Sequence, residues 1–234
     1  MKNKKWVRRR HQIIQNLALP GFKLVLACKF KFKYDKIRVK RKQPYIVIHN
    51  HQTLYDQFLV GLSVRGPIYY VATEDITSAG FVSKLLYFGV NVIPFKKSTS
   101  DINAVRSCLR VIKEGGTIII APEGNRTYSG ETGNIKPSIV KLIKKMKVPL
   151  ILYNIKGGYG VLPRWAEKPR YGTIEGRITR IMQYDEYKDL SNEEFFDIVK
   201  NALYVNDNDV IGTYKSKKNA ECLERAIYVC PKCG

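Results

Sequence analysis

From residue 44 onward, short apolar runs alternate with segments in which apolar residues recur every three to four positions. The runs are rich in β-branched and aromatic residues and carry few charges, which is typical of strands buried on both faces of a sheet. This alternation predicts an α/β fold in which a mainly parallel sheet is flanked by helices. The predicted strands are 45–48, 68–72, 92–95, 117–121, 150–155 and 173–182.

Three of the predicted helices have clear boundaries. Residues 101–114 carry an apolar stripe at helical spacing, Ser100 or Asp101 can cap the start, and two glycines follow the end. Residues 137–147 open on a proline, which favours the first turn of a helix. Residues 191–203 begin with the Ser-x-x-Glu spacing of a capping box.

The length of 234 residues suits one α/β domain with a substantial core and leaves room for terminal additions. The pattern divides the chain into three parts. Residues 1–43 form a basic and apolar N-terminal segment for membrane association, 44–205 form the α/β domain, and 206–234 form a C-terminal tail.

The charge is strongly positive, with 41 Lys and Arg against 20 Asp and Glu and a formal net charge of +21. Such an excess points to an anionic partner, either nucleic acid or an anionic membrane. Many of the basic residues lie in the first 42 positions and flank the apolar stretch 13–26, which Pro20 and Lys23 interrupt. That stretch is too short and broken for a span of about 20 apolar residues, and no convincing signal-peptide cleavage site follows it.

We therefore expect an N-terminal helical segment that rests in the headgroup layer of an anionic membrane. A buried helix with a solvated basic flank, a true span and a nucleic-acid arm stay open as alternatives. The expected location is cytoplasmic, peripheral on the inner face of the cell membrane.

Five cysteines, an odd number, in a chain without an evident signal peptide favour a reducing compartment. Cys230 and Cys233 have the two-residue gap of one zinc knuckle. A zinc ribbon needs two knuckles, so two interpretations remain. Either these cysteines are half of a structural zinc site whose other ligands lie outside this chain, or they belong to a tail that binds no metal.

A histidine and a carboxylate, His51 and Asp56, follow the predicted strand 45–48. Residues five apart differ by about 140° around an ideal helix, so the two meet only if His51 precedes the helix and Asp56 lies in its first turn. With Thr53 as N-cap, Asp56 would be the third helical residue. Its carboxylate then either serves backbone donors, as in a capping box, or orients the His51 imidazole as a general base.

A second motif, with Glu123, Gly124, Arg126 and Thr127, follows the predicted strand 117–121. Gly124 permits close backbone approach, and the planar fork of Arg126 suits a phosphate. Glu123 could orient the guanidinium or bind a substrate hydroxyl, and Thr127 adds a donor. The alternative is a turn closed by an ion pair between Glu123 and Arg126. Open α/β sheets present ligand sites where strands end, so we expect both motifs at one edge of the sheet.

Asn50, His51 and Asp56, followed by the Glu-Gly-Asn-Arg-Thr block at 123–127, resemble the two ordered motifs of the glycerolipid acyltransferases, the 1-acylglycerol-3-phosphate acyltransferases. The resemblance covers roughly residues 44–155. It implies that His51 is the catalytic base and Asp56 its partner. It further implies that Glu123, Gly124 and Arg126 help to hold a glycerol phosphate, and that the acyl donor is a thioester of coenzyme A or acyl carrier protein. No cofactor is required for this chemistry.

The chain departs from the family pattern at two places. Family members often carry an arginine after the strand between the motifs, whereas this chain has Lys96 and Lys97. Lysine lacks the guanidinium fork, although either lysine could supply the charge. A later block that usually has two prolines keeps Pro149 and loses the second. The expected substrate-binding residues are Asn50, Lys96, Lys97, Glu123, Gly124, Arg126 and Thr127.

The favoured hypothesis is a peripheral membrane enzyme that acylates the hydroxyl of lysophosphatidic acid or a related glycerol phosphate in phospholipid biosynthesis. One alternative is a basic nucleic-acid-binding protein with a zinc ribbon, although no recognisable nucleic-acid-binding motif accompanies the half knuckle. Another is a catalytically inactive family member that only binds anionic lipid. Nucleic acid is the less favoured partner because it leaves His51, Asp56 and Glu123 without a role.

Overall fold

A seven-stranded sheet forms the centre of the computed structural model, which describes residues 5–39, 43–64, 66–73, 92–95 and 101–227. Its spatial order is β1-β7-β6-β2-β5-β3-β4. The strands are β1 (Lys31–Tyr34), β2 (Ile46–His49), β3 (Ile68–Thr73), β4 (Ile93–Phe95), β5 (Thr117–Ile120), β6 (Leu150–Lys156) and β7 (Thr173–Met182). Five residues from the sequence interpretation lie outside the described ranges: Lys96, Lys97, Ser100, Cys230 and Cys233.

The sheet is mainly parallel, as predicted. Strands β2 to β6 run in one direction, β7 pairs antiparallel with β6, and β1 pairs parallel with β7. All six predicted strands are present, but β1 was not predicted. Its Lys31 and Lys33 are exposed and alternate with half-buried aromatic residues. Exposed lysines are typical of an edge strand. In a strand of four residues they interrupt the apolar run by which a strand is recognised in the sequence.

The described residues form seven α-helices: α1 (Arg9–Ala27), α2 (Asp56–Ser63), α3 (Ile102–Lys113), α4 (Ser138–Met146), α5 (Gly158–Val161), α6 (Tyr184–Tyr187) and α7 (Asn192–Leu203). The three helices with clear sequence boundaries, α3, α4 and α7, are confirmed. Asp101 caps α3 by accepting a hydrogen bond from the Ala104 backbone NH at 2.9 Å. The capping box at the start of α7 is formed as predicted.

Apolar side chains fill both faces of the sheet. On β2, Ile46 and Ile48 point into a cluster shared with α3, α4 and α7, whereas Val47 points into a second cluster shared with α1 and α2. This alternation follows from the two-residue period of a strand. A two-sided core leaves only the ends of the central strands free to carry polar, chemically active residues.

Helix α1 packs against the sheet through polar contacts. The Nδ1 atom of His11 lies 3.0 Å from the hydroxyl of Tyr69, and the Gln15 amide pairs with both the backbone NH and the carbonyl of Ile68. His11, Gln15 and Leu26 are buried, so one face of α1 belongs to the folded domain. None of the helices in the described part of the chain has the length and apolar character that crossing a bilayer requires.

The two-sided core generates a stability prediction. The substitution Ile119→Ala should lower the free energy of unfolding by about 2–5 kcal/mol, because Ile119 is fully buried in the centre of β5. Ile102→Ala is the matched control, because Ile102 is 62% exposed, and it should change stability by less than about 0.5 kcal/mol. Urea denaturation measures both variants. Equal losses in the two would contradict the assignment of β5 to the core.

Candidate active site

The two sequence motifs meet where neighbouring parallel strands end. β2 and β5 pair side by side, and each motif follows the carboxyl end of its strand. The backbone NH of His51 donates to Oε1 of Glu123 at 2.7 Å, and the backbone NH of Thr127 donates to the carbonyl of His51 at 2.9 Å. Residues 72 positions apart in the chain are therefore parts of one site. The expectation that both motifs lie at one edge of the sheet is confirmed.

His51 and Asp56 form a hydrogen-bonded pair, with 2.9 Å between Nδ1 of the imidazole and Oδ2 of the carboxylate. Because the carboxylate accepts, Nδ1 carries the proton and Nε2 has a free lone pair. The side chain of His51 is 18% exposed and that of Asp56 is fully buried. The pair thus has an accessible imidazole and a buried acceptor that orients it.

The same carboxylate oxygen of Asp56 also accepts hydrogen bonds from the backbone NH groups of Gln52 at 2.6 Å and Thr53 at 2.9 Å. The carboxylate of Asp56 therefore serves backbone donors and also holds the His51 imidazole, whose role as a general base stays a prediction. The predicted capping geometry is wrong in its details: α2 begins at Asp56, and Tyr55 is the N-cap without a side-chain cap. The carboxylate of Asp56 accepts hydrogen bonds from the loop before it, which keeps that loop out of the helical conformation. Asp56 is therefore the first helical residue.

Asn50 joins the end of β2 to β6. Its Nδ2 donates to the carbonyl of Ile155 at 2.9 Å, and its Oδ1 accepts from the backbone NH of Ile155 at 2.7 Å. Asn50 is fully buried. The contacts of its amide are thus with the sheet, and its expected role in substrate binding stays a prediction.

A second histidine, His49, lies directly before the motif, and the sequence analysis missed it. It is completely buried, and that burial lowers the pKa of His49 to about 4. Its Nδ1 donates to the carbonyl of Asn50 at 2.7 Å. The rings of His49 and His51 lie 6.3 Å apart, so a neutral imidazole stands behind the accessible one.

Glu123 links the two motifs rather than pairing with Arg126. Oε1 accepts from the backbone of His51, and Oε2 accepts from the backbone NH of Gly133 at 2.6 Å. Burial raises the pKa of Glu123 to about 7, while the two backbone hydrogen bonds oppose that rise. The alternative of a turn closed by an ion pair between Glu123 and Arg126 is not what the structure shows.

The loop after β5 lines most of an open cavity of about 340 Å³. Gly124 has φ +70° with open space beside it, a backbone conformation that favours glycine. Arg126 is half-buried, and Arg164 contributes a second guanidinium to the cavity lining. The hydroxyl of Thr127 donates to the carbonyl of Glu131 at 2.5 Å, so it holds the loop itself. His51 does not line this cavity. Its backbone NH is hydrogen-bonded to Glu123, which does line it.

Asp207 supports the site from the segment predicted as the C-terminal tail. It accepts hydrogen bonds at 2.8 Å from the backbone NH groups of Gly157 and Tyr159, which hold α5 in place. Gly158 of α5 lies against the loop of the first motif, since a Cβ atom there would be 2.7 Å from Cβ of Gln52. Because its partners are 50 and 48 residues away, no local sequence signal points to this role of Asp207.

The two cysteines of the predicted zinc knuckle, Cys230 and Cys233, lie outside the described residues, which end at residue 227. Within the ranges that the structure describes, no group of three or more His, Cys, Asp and Glu side chains could hold a metal ion. The zinc site stays a prediction.

Three named relatives are similar to this chain. A chloroplast 1-acyl-sn-glycerol-3-phosphate acyltransferase of Brassica napus is 23% identical over 129 residues, covering 53% of this chain and 36% of the relative. The enzyme of that name from Borreliella burgdorferi is 27% identical over 143 residues (59% and 54%). The human beta form is 23% identical over 154 residues (62% and 54%). The chain thus spans between about a third and about half of the length of these relatives.

The fold is shared with a solved structure. The crystal structure of PlsC, the 1-acyl-sn-glycerophosphate acyltransferase of Thermotoga maritima, superposes with a TM-score of 0.64 at 20% identity. The match covers 82% of this chain and 76% of that one.

A family model described as Acyltransferase matches residues 31–156. This range contains the sheet from β1 to β6 and every described residue of both motifs. It spans just over half of the chain. The chain therefore belongs to the acyltransferase family, of the kind that includes the 1-acylglycerol-3-phosphate acyltransferases.

Proposed function

We propose that this protein transfers a fatty acyl group from a thioester donor, acyl-CoA or acyl carrier protein, to the free hydroxyl of lysophosphatidic acid. The observation that carries the proposal is the His51–Asp56 pair, bonded through its backbone to a loop that presents Arg126. The family match and the names of the relatives support the same reaction class.

His51 acts as the general base. Its Nε2 takes the proton of the acceptor hydroxyl as the hydroxyl oxygen attacks the thioester carbonyl. The buried carboxylate of Asp56 holds the Nδ1 proton and stabilises the imidazolium that forms. General-base assistance of this kind typically contributes about 10²–10⁴ in rate.

Collapse of the tetrahedral intermediate completes the transfer. The bond between carbonyl carbon and sulfur breaks, an ester bond remains, and the departing thiolate takes the proton back from His51. No serine or cysteine nucleophile takes part. The His51 imidazole accepts one proton and then gives it up, so it is neutral before and after each turnover.

Arg126 binds the phosphate of the acceptor. Its planar fork matches two phosphate oxygens, and its half-buried position strengthens the interaction relative to one in open water. Gly124 leaves space beside the backbone for a ligand. Lys96 or Lys97 adds charge from the segment where the family often has arginine.

Helix α1 places the enzyme on an anionic membrane surface, at the inner face of the cell membrane. Its exposed residues Ile13, Leu17 and Leu24 lie within about 40° of one another around the helix axis. The stripe faces away from the buried residues of the same helix, and exposed Arg and Lys residues flank it. This arrangement is typical of a helix that rests in the interface.

The alternative functions have less support. A nucleic-acid-binding protein would leave the oriented imidazole without a task. An inactive lipid-binding member would need no hydrogen-bonded pair of base and buried carboxylate. None of the contacts described above supports either alternative.

The first test is His51→Ala. Its backbone hydrogen bonds to the second motif and those of Asp56 to the loop do not need the imidazole, so the fold should persist while turnover falls by about 10²–10⁴. The assay offers lysophosphatidic acid with a panel of acyl-CoA and acyl carrier protein donors and detects products by mass spectrometry. Turnover close to that of the unmodified protein, with an unchanged melting temperature, would refute the base assignment.

The second test concerns the membrane surface. Leu17→Glu combined with Leu24→Glu should weaken binding to vesicles that contain anionic lipid, because two charges replace apolar side chains that are 74% and 70% exposed. Binding by the unmodified protein should fall with added salt. Ile211→Glu is the matched control, since Ile211 is fully exposed outside α1. These substitutions avoid the buried face of the helix, which a deletion would remove. Equal vesicle binding by all three proteins would rule out α1 as the contact.

A further inference from the structure

A second guanidinium, that of Arg164, lies beside Arg126. Its Nη1 donates to the backbone carbonyl of Arg126 at 3.1 Å, and its Cζ lies 3.9 Å from the centre of the Tyr128 ring. Both arginines line the cavity next to the first motif. Burial, with the charge of Arg164 as the next cause, lowers the pKa of Arg126. The sequence analysis did not single out Arg164.

The loop that carries Arg164 is firmly mounted. Leu162 and Trp165 on either side are buried, and the indole NH of Trp165 donates to the hydroxyl of Tyr159 at 3.3 Å. Arg164 is the half-exposed residue between these anchors. Its guanidinium is therefore held toward the cavity by packing on both sides, as well as by the ring of Tyr128.

The two guanidiniums have no carboxylate partner. Among the described residues, neither Arg126 nor Arg164 takes part in an ion pair. The acidic residues of the cavity are engaged elsewhere: Glu123 binds two backbone NH groups, and Glu131 accepts from the hydroxyl of Tyr204 at 3.0 Å. Two adjacent, half-buried positive charges repel each other, and an anion placed between them would relieve the repulsion.

The charge of the pair matches one class of anion. A phosphate monoester carries about −1.5 to −2 at neutral pH, whereas a phosphodiester headgroup carries one negative charge. Two guanidiniums offer up to four donors in two planar forks, which suits the three terminal oxygens of a monoester. A single guanidinium is enough to neutralise the one negative charge of a diester.

We propose that Arg164 is a substrate-binding residue that grips the phosphate monoester of the acceptor together with Arg126 and makes the site prefer monoester over diester headgroups. This inference rests on the proposed function. The same chemistry could come from the phosphates of a coenzyme A donor, so the test separates donor from acceptor.

The experiment compares Arg164→Met with the unmodified protein in steady-state kinetics. The acceptors are lysophosphatidic acid and lysophosphatidylglycerol, which has a diester headgroup. Loss of charge-assisted hydrogen bonds should raise the KM for lysophosphatidic acid by about 10- to 100-fold and reduce the preference for the monoester by a similar factor. The donor KM should stay within about twofold, because Arg164 would not touch the donor.

Arg170→Met is the matched control. Arg170 lies in the same loop with its guanidinium 4.9 Å from the centre of the Trp165 ring, and it does not line the cavity. It should leave both KM values unchanged. Arg164→Lys keeps the charge without the fork and should give an intermediate KM, and it replaces Arg164→Met if that variant does not fold.

Two kinetic outcomes would overturn the inference: unchanged acceptor selectivity in Arg164→Met, or a raised donor KM with an unchanged acceptor KM. Calorimetric titration with glycerol 3-phosphate distinguishes this failure from that of the proposed function. If the unmodified protein forms no product from either acceptor, the proposed function fails. Titration then still decides whether Arg164→Met weakens binding of the phosphate, and equal affinity in both proteins would refute the role of Arg164.

Discussion

One carboxylate oxygen, Oδ2 of Asp56, determines the shape of the site. It accepts hydrogen bonds from the imidazole of His51 and from the backbone of Gln52 and Thr53. A fully buried carboxylate is stable only when several donors surround it. Because the donors include both the loop and the His51 imidazole, the loop conformation and the imidazole tautomer depend on the same atom. The imidazole is therefore already oriented by the protein itself, as the proposed proton transfer would require.

The sheet places this carboxylate beside the loop that carries Glu123 and Arg126. Adjacent parallel strands β2 and β5 end at the same edge, and Glu123 joins the two loops through backbone hydrogen bonds. Support from behind comes from α5, which Asp207 holds against the first motif. The reactive groups thus lie on loops, yet each loop is fastened to a rigid element. Such fastening is how a site keeps its geometry to within a fraction of an ångström.

Positive charge acts at two ranges in this molecule. The net charge of +21 gives a general attraction to anionic surfaces, which salt weakens. Inside the cavity, Arg126 and Arg164 form a local pair without a carboxylate partner among the described residues. Helix α1 takes part in both the fold and the surface: one face packs on the sheet, and the other exposes an apolar stripe. The two proposed roles, adsorption at a membrane and recognition of a phosphate, thus fall on separate residues.

Local patterns along the chain were enough to predict the α/β class, the six strands with apolar runs, the capped helices α3 and α7, and the presence of both motifs at strand ends. Each of these follows from a local spacing, such as the period of a strand or the three-residue step of a cap. Local patterns did not determine β1, whose lysines mask its strand character, or the start of α2 at Asp56. Nor did they determine the bonding of Glu123 to backbone rather than to Arg126, or the parts that Asp207 and Arg164 take in the site. The start of α2 depends on hydrogen bonds of Asp56 to residues three to five positions before it. The other features depend on contacts between residues 38 to 72 positions apart, or on how an edge strand pairs. Only the packing of the sheet brings such residues together, because no spacing along the chain encodes which strands become neighbours.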